Sequence, residues 1–239
     1  MTPRRRTLHF LHIGKTGGTA IKHALNIGSS NCEYTIQLHR HGFTLPDVPV
    51  GDGVIFFLRD PISRFVSGFY SRQRQGQPRG FWAWSPKERD AFERFRTAND
   101  LARCISSSDE EQRRMAYRAM KGIQHVRDSY WRWFEGEDYF RSRLSDIFFV
   151  GFQETLSDDF EALRAKLGLS DAARLPADDI QAHRNPEGLD TTLDEQAIAN
   201  LKRWYESDYR FLGLCEKLLN VRSRKAHITG SYPATPTAS

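Results

Sequence analysis

The chain has 239 residues, 39% hydrophobic and 27% charged, the composition of an ordinary soluble globular protein long enough to fold as one sizeable α/β domain. Its 35 Lys and Arg against 30 Asp and Glu leave a net charge of +5 with the acidic residues interspersed, which suits an enzyme with an anionic cofactor or acceptor and requires no nucleic-acid partner. No run of about 18 apolar residues occurs, and Met1-Thr2-Pro3-Arg4-Arg5-Arg6 carries no apolar signal core, so the expectation is a cytoplasmic protein without a membrane span.

The first predicted element, from Leu8 to Leu25, reads as a short apolar strand, a turn Gly14-Lys15-Thr16-Gly17-Gly18-Thr19, and the opening of a helix that runs to about Ile27. Such a turn aims several backbone N–H groups and the positive end of a helix dipole at one point, where a phosphate or sulfate would sit. Gly14-Lys15-Thr16 imitates the end of the triphosphate loop G-x-x-x-x-G-K-[ST]. That loop needs a glycine where His9 stands, so the triphosphate match fails.

Tyr34, Ile36 and Leu38 alternate with polar residues and predict a second strand leading into a loop. Val54-Ile55-Phe56-Phe57-Leu58 is an unbroken apolar run of the kind buried on both faces of a parallel sheet. It leads into Arg59-Asp60-Pro61, with Asp60 as N-cap and Pro61 opening a helix through Tyr70, a second strand-turn-helix unit. A helical, aromatic-rich insert follows over about 76–143, with helices expected from Pro86 to Ile105, Asp109 to Lys121 and Tyr130 to Leu144. Its Trp82, Trp84, Tyr130, Trp131, Trp133 and Tyr139 are expected to pack those helices together, with an acceptor cleft as the sharper alternative.

Asp146 to Val150 is another buried-type strand, followed by helices over about 157–167 and 194–212. Residues 221–239 have the composition of a disordered tail, leaving one domain over 1–220. Cys32, Cys104 and Cys215 are odd in number, far apart and outside any C-x-x-C pattern, so no disulfide framework and no metal site is expected. Strands alternating with helices predict the α/β class: a P-loop-like parallel sheet flanked by helices, with ligands at the carboxyl ends of its strands.

The loop Gly14 to Thr19 and the later Arg59-Asp60-Pro61-Ile62-Ser63-Arg64-Phe65-Val66-Ser67 resemble the two signature motifs of sulfotransferases that use 3′-phosphoadenosine 5′-phosphosulfate (PAPS) and release its bisphosphate product, PAP. The resemblance implies that the first motif holds the 5′-phosphosulfate and that Arg59 and Ser67 hold the 3′-phosphate. His39-Arg40-His41, Val150-Gly151-Phe152-Gln153-Glu154, Asn185-Pro186, Trp204-Tyr205 and Asp208-Tyr209 are similar to the carbohydrate branch, in particular the uronyl 2-O-sulfotransferases. The likeness spans most of residues 7–213 and is specific in the two phosphate motifs.

What this implies is transfer of a sulfuryl group to an acceptor hydroxyl on a carbohydrate by in-line displacement, where catalysis is positioning plus charge stabilisation. Lys15 is the candidate for the leaving side, with the N–H groups of Gly17, Gly18 and Thr19 and the hydroxyls of Thr16 and Thr19 around the 5′ group. His41, supported by His39, is the general base that the resemblance implies; two positions apart on an extended segment, both rings would face one side. Glu33 is the runner-up and His125 third, His9 and His12 are read as core residues or as residues standing behind the site, with His12 able to approach the cofactor, and Arg184 is placed over the 3′-phosphate by the same likeness. The alternatives are a P-loop kinase or NTPase, and a non-catalytic nucleotide- or glycan-binding module of the same fold.

Overall fold

The computed structural model describes residues 6–28, 33–78, 80–177 and 189–219; Cys32, Arg184, Asn185, Pro186 and the tail lie outside them. Strands β1 (Thr7–Phe10), β2 (Thr35–Leu38), β3 (Gly53–Leu58) and β4 (Ile147–Phe152) form one parallel sheet in the order β2-β1-β3-β4. The helices are α1 (Gly18–Gly28), α2 (Pro61–Gln73), α3 (Pro86–Arg94), α4 (Ala98–Cys104), α5 (Glu110–Gly122), α6 (Trp131–Phe134), α7 (Glu137–Ser142), α8 (Leu156–Leu167), α9 (Glu195–Trp204) and α10 (Glu206–Leu219). Among the described residues, no helix is long and apolar enough to cross a membrane.

The chain divides into two compact units, the first drawing on 6–59, 130–177 and 211–219, the second on 60–129 and 189–210. The first unit is the sheet and its cover, the α/β arrangement that the alternation of elements predicts. Strand geometry sends alternate side chains to opposite faces. Leu8, Phe10, Ile55 and Phe57 therefore pack against Ile21 and Leu25 of α1 and Phe160 and Leu163 of α8. Val54, Phe56 and Leu58 meet Trp133, Phe134, Phe140 and Phe211 on the other side. β3 is buried along its whole length, as its apolar run requires.

The second unit packs α2, α3, α4, α5 and α9 around Phe65, Phe69, Phe92, Leu101, Met120 and Leu201. The stretch 76–143 is thus shared: up to Ser129 it belongs to the helical unit, and from Tyr130 onward to the sheet. Three expected helices are each broken in two. Thr97 accepts from the Asp100 N–H in a capping box and starts α4 afresh, so the helix from Pro86 stops at Arg94. Glu135 and Gly136, at φ 58° and 107°, part α6 from α7, and Tyr205 parts α9 from α10. Cys104 and Cys215 are free thiols whose pKa is pushed up by burial.

Buried charges in the helical unit are paired, as desolvation demands. Arg64 meets Asp208 at 3.0 Å and also donates to the Asp128 carbonyl. Arg72 Nε donates to Glu88 at 2.6 Å and its Nη2 at 2.9 Å. Burial alone would raise the Glu88 pKa, but the Arg72 hydrogen bonds and the Ser85 and Gln124 N–H groups overcome it and hold the carboxyl at about 2, below the ordinary 4.5. Glu88→Gln leaves Arg72 buried without its counter-charge and should cost about 3–5 kcal/mol in urea unfolding at pH 7. The folded pKa being the lower one, this stability is complete above about pH 4.5 and fades as the pH falls toward 2, where variant and wild type should converge.

Candidate active site

β1 hands over to the glycine turn at the carboxyl edge of the sheet. Lys15 sits there at φ 70°, a left-handed backbone that costs a non-glycine residue roughly 1–2 kcal/mol, and Gly17 follows at φ 82°. Thr16, almost fully buried, donates its hydroxyl to the Ile13 carbonyl at 3.0 Å and braces the turn from below. Gly18 opens α1; a Cβ there would lie 2.3 Å from the His12 ring, so only glycine lets the helix N-terminus approach that imidazole. Thr19 is half-buried in the first turn of α1, the positive end of the helix.

Arg59 is the first residue beyond β3. Its N–H donates to the Tyr130 hydroxyl at 2.9 Å, and that hydroxyl donates back to the Arg59 carbonyl at 2.5 Å. So held, the guanidinium reaches across and donates to the Lys15 carbonyl at 3.3 Å. The two strand-turn-helix loops of the sequence are therefore joined directly. Ser67 lies buried on α2 in the helical unit, where a Cβ on neighbouring Gly68 would come within 3.2 Å of His125. Neither Ser67 nor His125 belongs to the group gathered in the sheet unit.

The histidines cluster along β1 and the end of β2. Strand β2 stops at Leu38 and residues 41–42 turn, so His39 and His41 do not share an extended face and instead take different partners. His41 Nδ1 lies 2.9 Å from the His12 carbonyl; an oxygen that can only accept fixes the proton on Nδ1 and the lone pair on Nε2. Its ring lies 3.9 Å from that of His12, and its carbonyl accepts from the Trp133 indole at 3.0 Å. His39 stacks on Phe43 at 3.5 Å and its carbonyl accepts from Lys22 Nζ at 2.9 Å. Burial first, then His9 and Lys22, lower the His39 pKa, with Asp47 opposing, which keeps the ring neutral further into the acid range. Glu33 precedes β2 and so lies at the amino edge of the sheet, the end opposite the glycine turn.

No curated protein matches the chain. A profile of the sulfotransferase family matches residues 1–214. The chain is a member of the sulfotransferase family. It is accordingly an enzyme that moves a sulfuryl group to a hydroxyl acceptor, and the kinase and NTPase reading falls away. Members of this family generally draw the group from PAPS. The chemistry of the donor set fits that anion: a helix N-terminus closed by a glycine without room for a Cβ, an ammonium held in a strained turn, and a guanidinium tied to the same turn.

Several residues that hold this candidate site together carry no local signal in the sequence. Tyr130 and Trp133 sit in the aromatic-rich stretch and read as packing; both are buried, and each also donates to the backbone carbonyl of a motif residue, Arg59 and His41 respectively. Lys22 reads as an ordinary helix lysine. Tyr130→Phe keeps the packed ring and removes the hydroxyl from two partners, so urea unfolding should show a loss of about 1–3 kcal/mol, and PAP binding should weaken with Arg59 no longer clamped.

Proposed function

We propose that this sulfotransferase transfers the sulfuryl group of PAPS to a hydroxyl of a carbohydrate, with one imidazole of the His39/His41 pair as general base. The single observation that carries the reading is the Arg59 guanidinium on the Lys15 carbonyl, which ties the second motif to the first. PAPS supplies a sulfuryl group already attached to a phosphate leaving group. The chain's part is charge and position. Lys15 and the N–H groups of Gly17, Gly18 and Thr19 concentrate positive charge at the turn, and the Arg59 guanidinium adds a planar fork of donors for a phosphate of the same cofactor. The proton of the acceptor hydroxyl goes to imidazole, whose ordinary pKa suits the task near neutral pH.

What supports a carbohydrate acceptor is a cavity of about 490 Å³ within the helical unit, lined among others by Tyr117, Lys121, Arg127, Asn200, Arg203 and Trp204. Tyr117 and Trp204 meet edge to face with ring centres 5.4 Å apart, and Lys121 Nζ stands 5.5 Å from the Trp204 ring. Flat faces beside cations and amide groups suit a sugar ring that carries negative charge.

Lys15→Gly tests the site without breaking the fold. Relief of the left-handed strain, roughly 1–2 kcal/mol, offsets the roughly 0.5–1 kcal/mol that glycine adds in chain entropy, so thermal unfolding should stay close to wild type. With sulfur-labelled PAPS and a panel of glycans and small hydroxylated metabolites, wild type should label a glycan and Lys15→Gly should label none. Wild-type turnover by the glycine variant removes Lys15 from the site.

A further inference from the structure

The His9 side chain bridges a residue before β3 and a residue after β2. His9 is registered opposite Gln37 of β2 and Val54 of β3. Asp52 stands two residues before Val54, at the amino edge, and His39 two residues after Gln37, at the carboxyl edge where the glycine turn lies. His9 Nε2 lies 3.1 Å from the Asp52 carboxylate and its Nδ1 lies 2.9 Å from His39 Nε2. The His9 side chain is 4% exposed, and the His9 and His39 rings lie within 5° of one plane.

The protons in this chain follow from what each atom can do. A carboxylate only accepts, so His9 carries its proton on Nε2. A neutral His9 then offers a lone pair on Nδ1, and His39 must donate its Nε2 proton there. The His39 lone pair is thereby fixed on Nδ1, which among the described residues has no hydrogen-bond partner. Phe43 stacked on the ring and Lys22 on the backbone carbonyl hold its orientation.

We propose that Asp52 and His9 are positioning residues that make His39 the proton acceptor of the His39/His41 pair. The inference rests on the sulfuryl-transfer reading above. As the acceptor oxygen bonds to sulfur and the sulfur–oxygen bond to the phosphate breaks, with its electron pair leaving on phosphate, the hydroxyl proton passes to His39 Nδ1. The imidazolium so formed is stabilised through His9 by the Asp52 carboxylate, and it returns its proton to solvent. The charged and titratable groups acting on His39 are His9 on β1, Lys22 on α1 and Asp47, with Arg40 beside Lys22 and Asp52 on the far nitrogen of His9; His9 and Lys22 oppose the imidazolium, Asp47 favours it, and the Asp52 carboxylate favours it through the His9 hydrogen bond.

Two readouts on the full chain test this. Long-range nitrogen–proton NMR of the imidazoles needs no turnover: wild type should show His39 as the Nε2–H tautomer, and Asp52→Asn should lose that preference while PAP binding and thermal unfolding hold. In transfer kinetics Asp52→Asn should lower kcat by about 10²-fold and move the acid limb of the pH profile to lower pH, and Asp52→Glu should recover part of the rate. His39→Ala should cost more than His41→Ala. An Nδ1–H tautomer in wild type, an unshifted pH profile in Asp52→Asn, or the reverse order of the two alanine variants overturns the proposal. Failure of the underlying reading shows separately, as a wild-type chain that transfers to no acceptor, and overturns the catalytic half while the tautomer measurement still decides the geometry.

Discussion

One phenol oxygen ties the end of β3 to the glycine turn at the carboxyl edge of the sheet. Where β3 ends, the next residue has left the strand ladder, and its N–H and C=O both need partners away from bulk water. The Tyr130 hydroxyl serves both, accepting from the Arg59 N–H and donating to the Arg59 carbonyl. With its backbone clamped, Arg59 can extend a guanidinium to the Lys15 carbonyl and hold a left-handed lysine in place. Strain of that kind persists only where neighbours over-determine it. Tyr130 itself is fully buried against Phe211, so the packing of that ring fixes the hydroxyl that clamps Arg59.

The same edge carries two imidazoles with opposite tautomers. His41 has its proton fixed on Nδ1 by a backbone carbonyl, His39 on Nε2 by a second histidine and a carboxylate behind it. A bare His-x-His pattern cannot distinguish them, because the difference lies in what stands behind each ring. Trp133 and Lys22 fix the two backbones from different helices. The two imidazoles are thus oriented by residues of the sheet, its turns and both covering layers.

The parallel sheet was legible because its cues are local. An apolar run gives β3, the Asp60-Pro61 cap gives the start of α2, and Gly168 in a left-handed conformation ends α8 where glycine placement indicates. The helix breaks were missed because capping at Thr97 and the reversal at Glu135-Gly136 interrupt stretches whose helical composition continues on either side. Lys15, Gly17, Gly18 and Arg59 stand in contiguous motifs and were legible for that reason. The link among residues 9, 39 and 52 was not, since only the register of β2, β1 and β3 brings them together, and no spacing in the sequence encodes it.

Isothermal titration of PAP into the full chain, in buffer stripped of divalent metal, tests the central claim most directly. One bisphosphate per chain should bind without magnesium, and an Arg59→Ala variant should bind it about 10- to 100-fold more weakly, as loss of charged hydrogen bonds worth about 1.5–3 kcal/mol requires. No binding, equal binding by the variant, or a preference for ATP that depends on magnesium would contradict that claim.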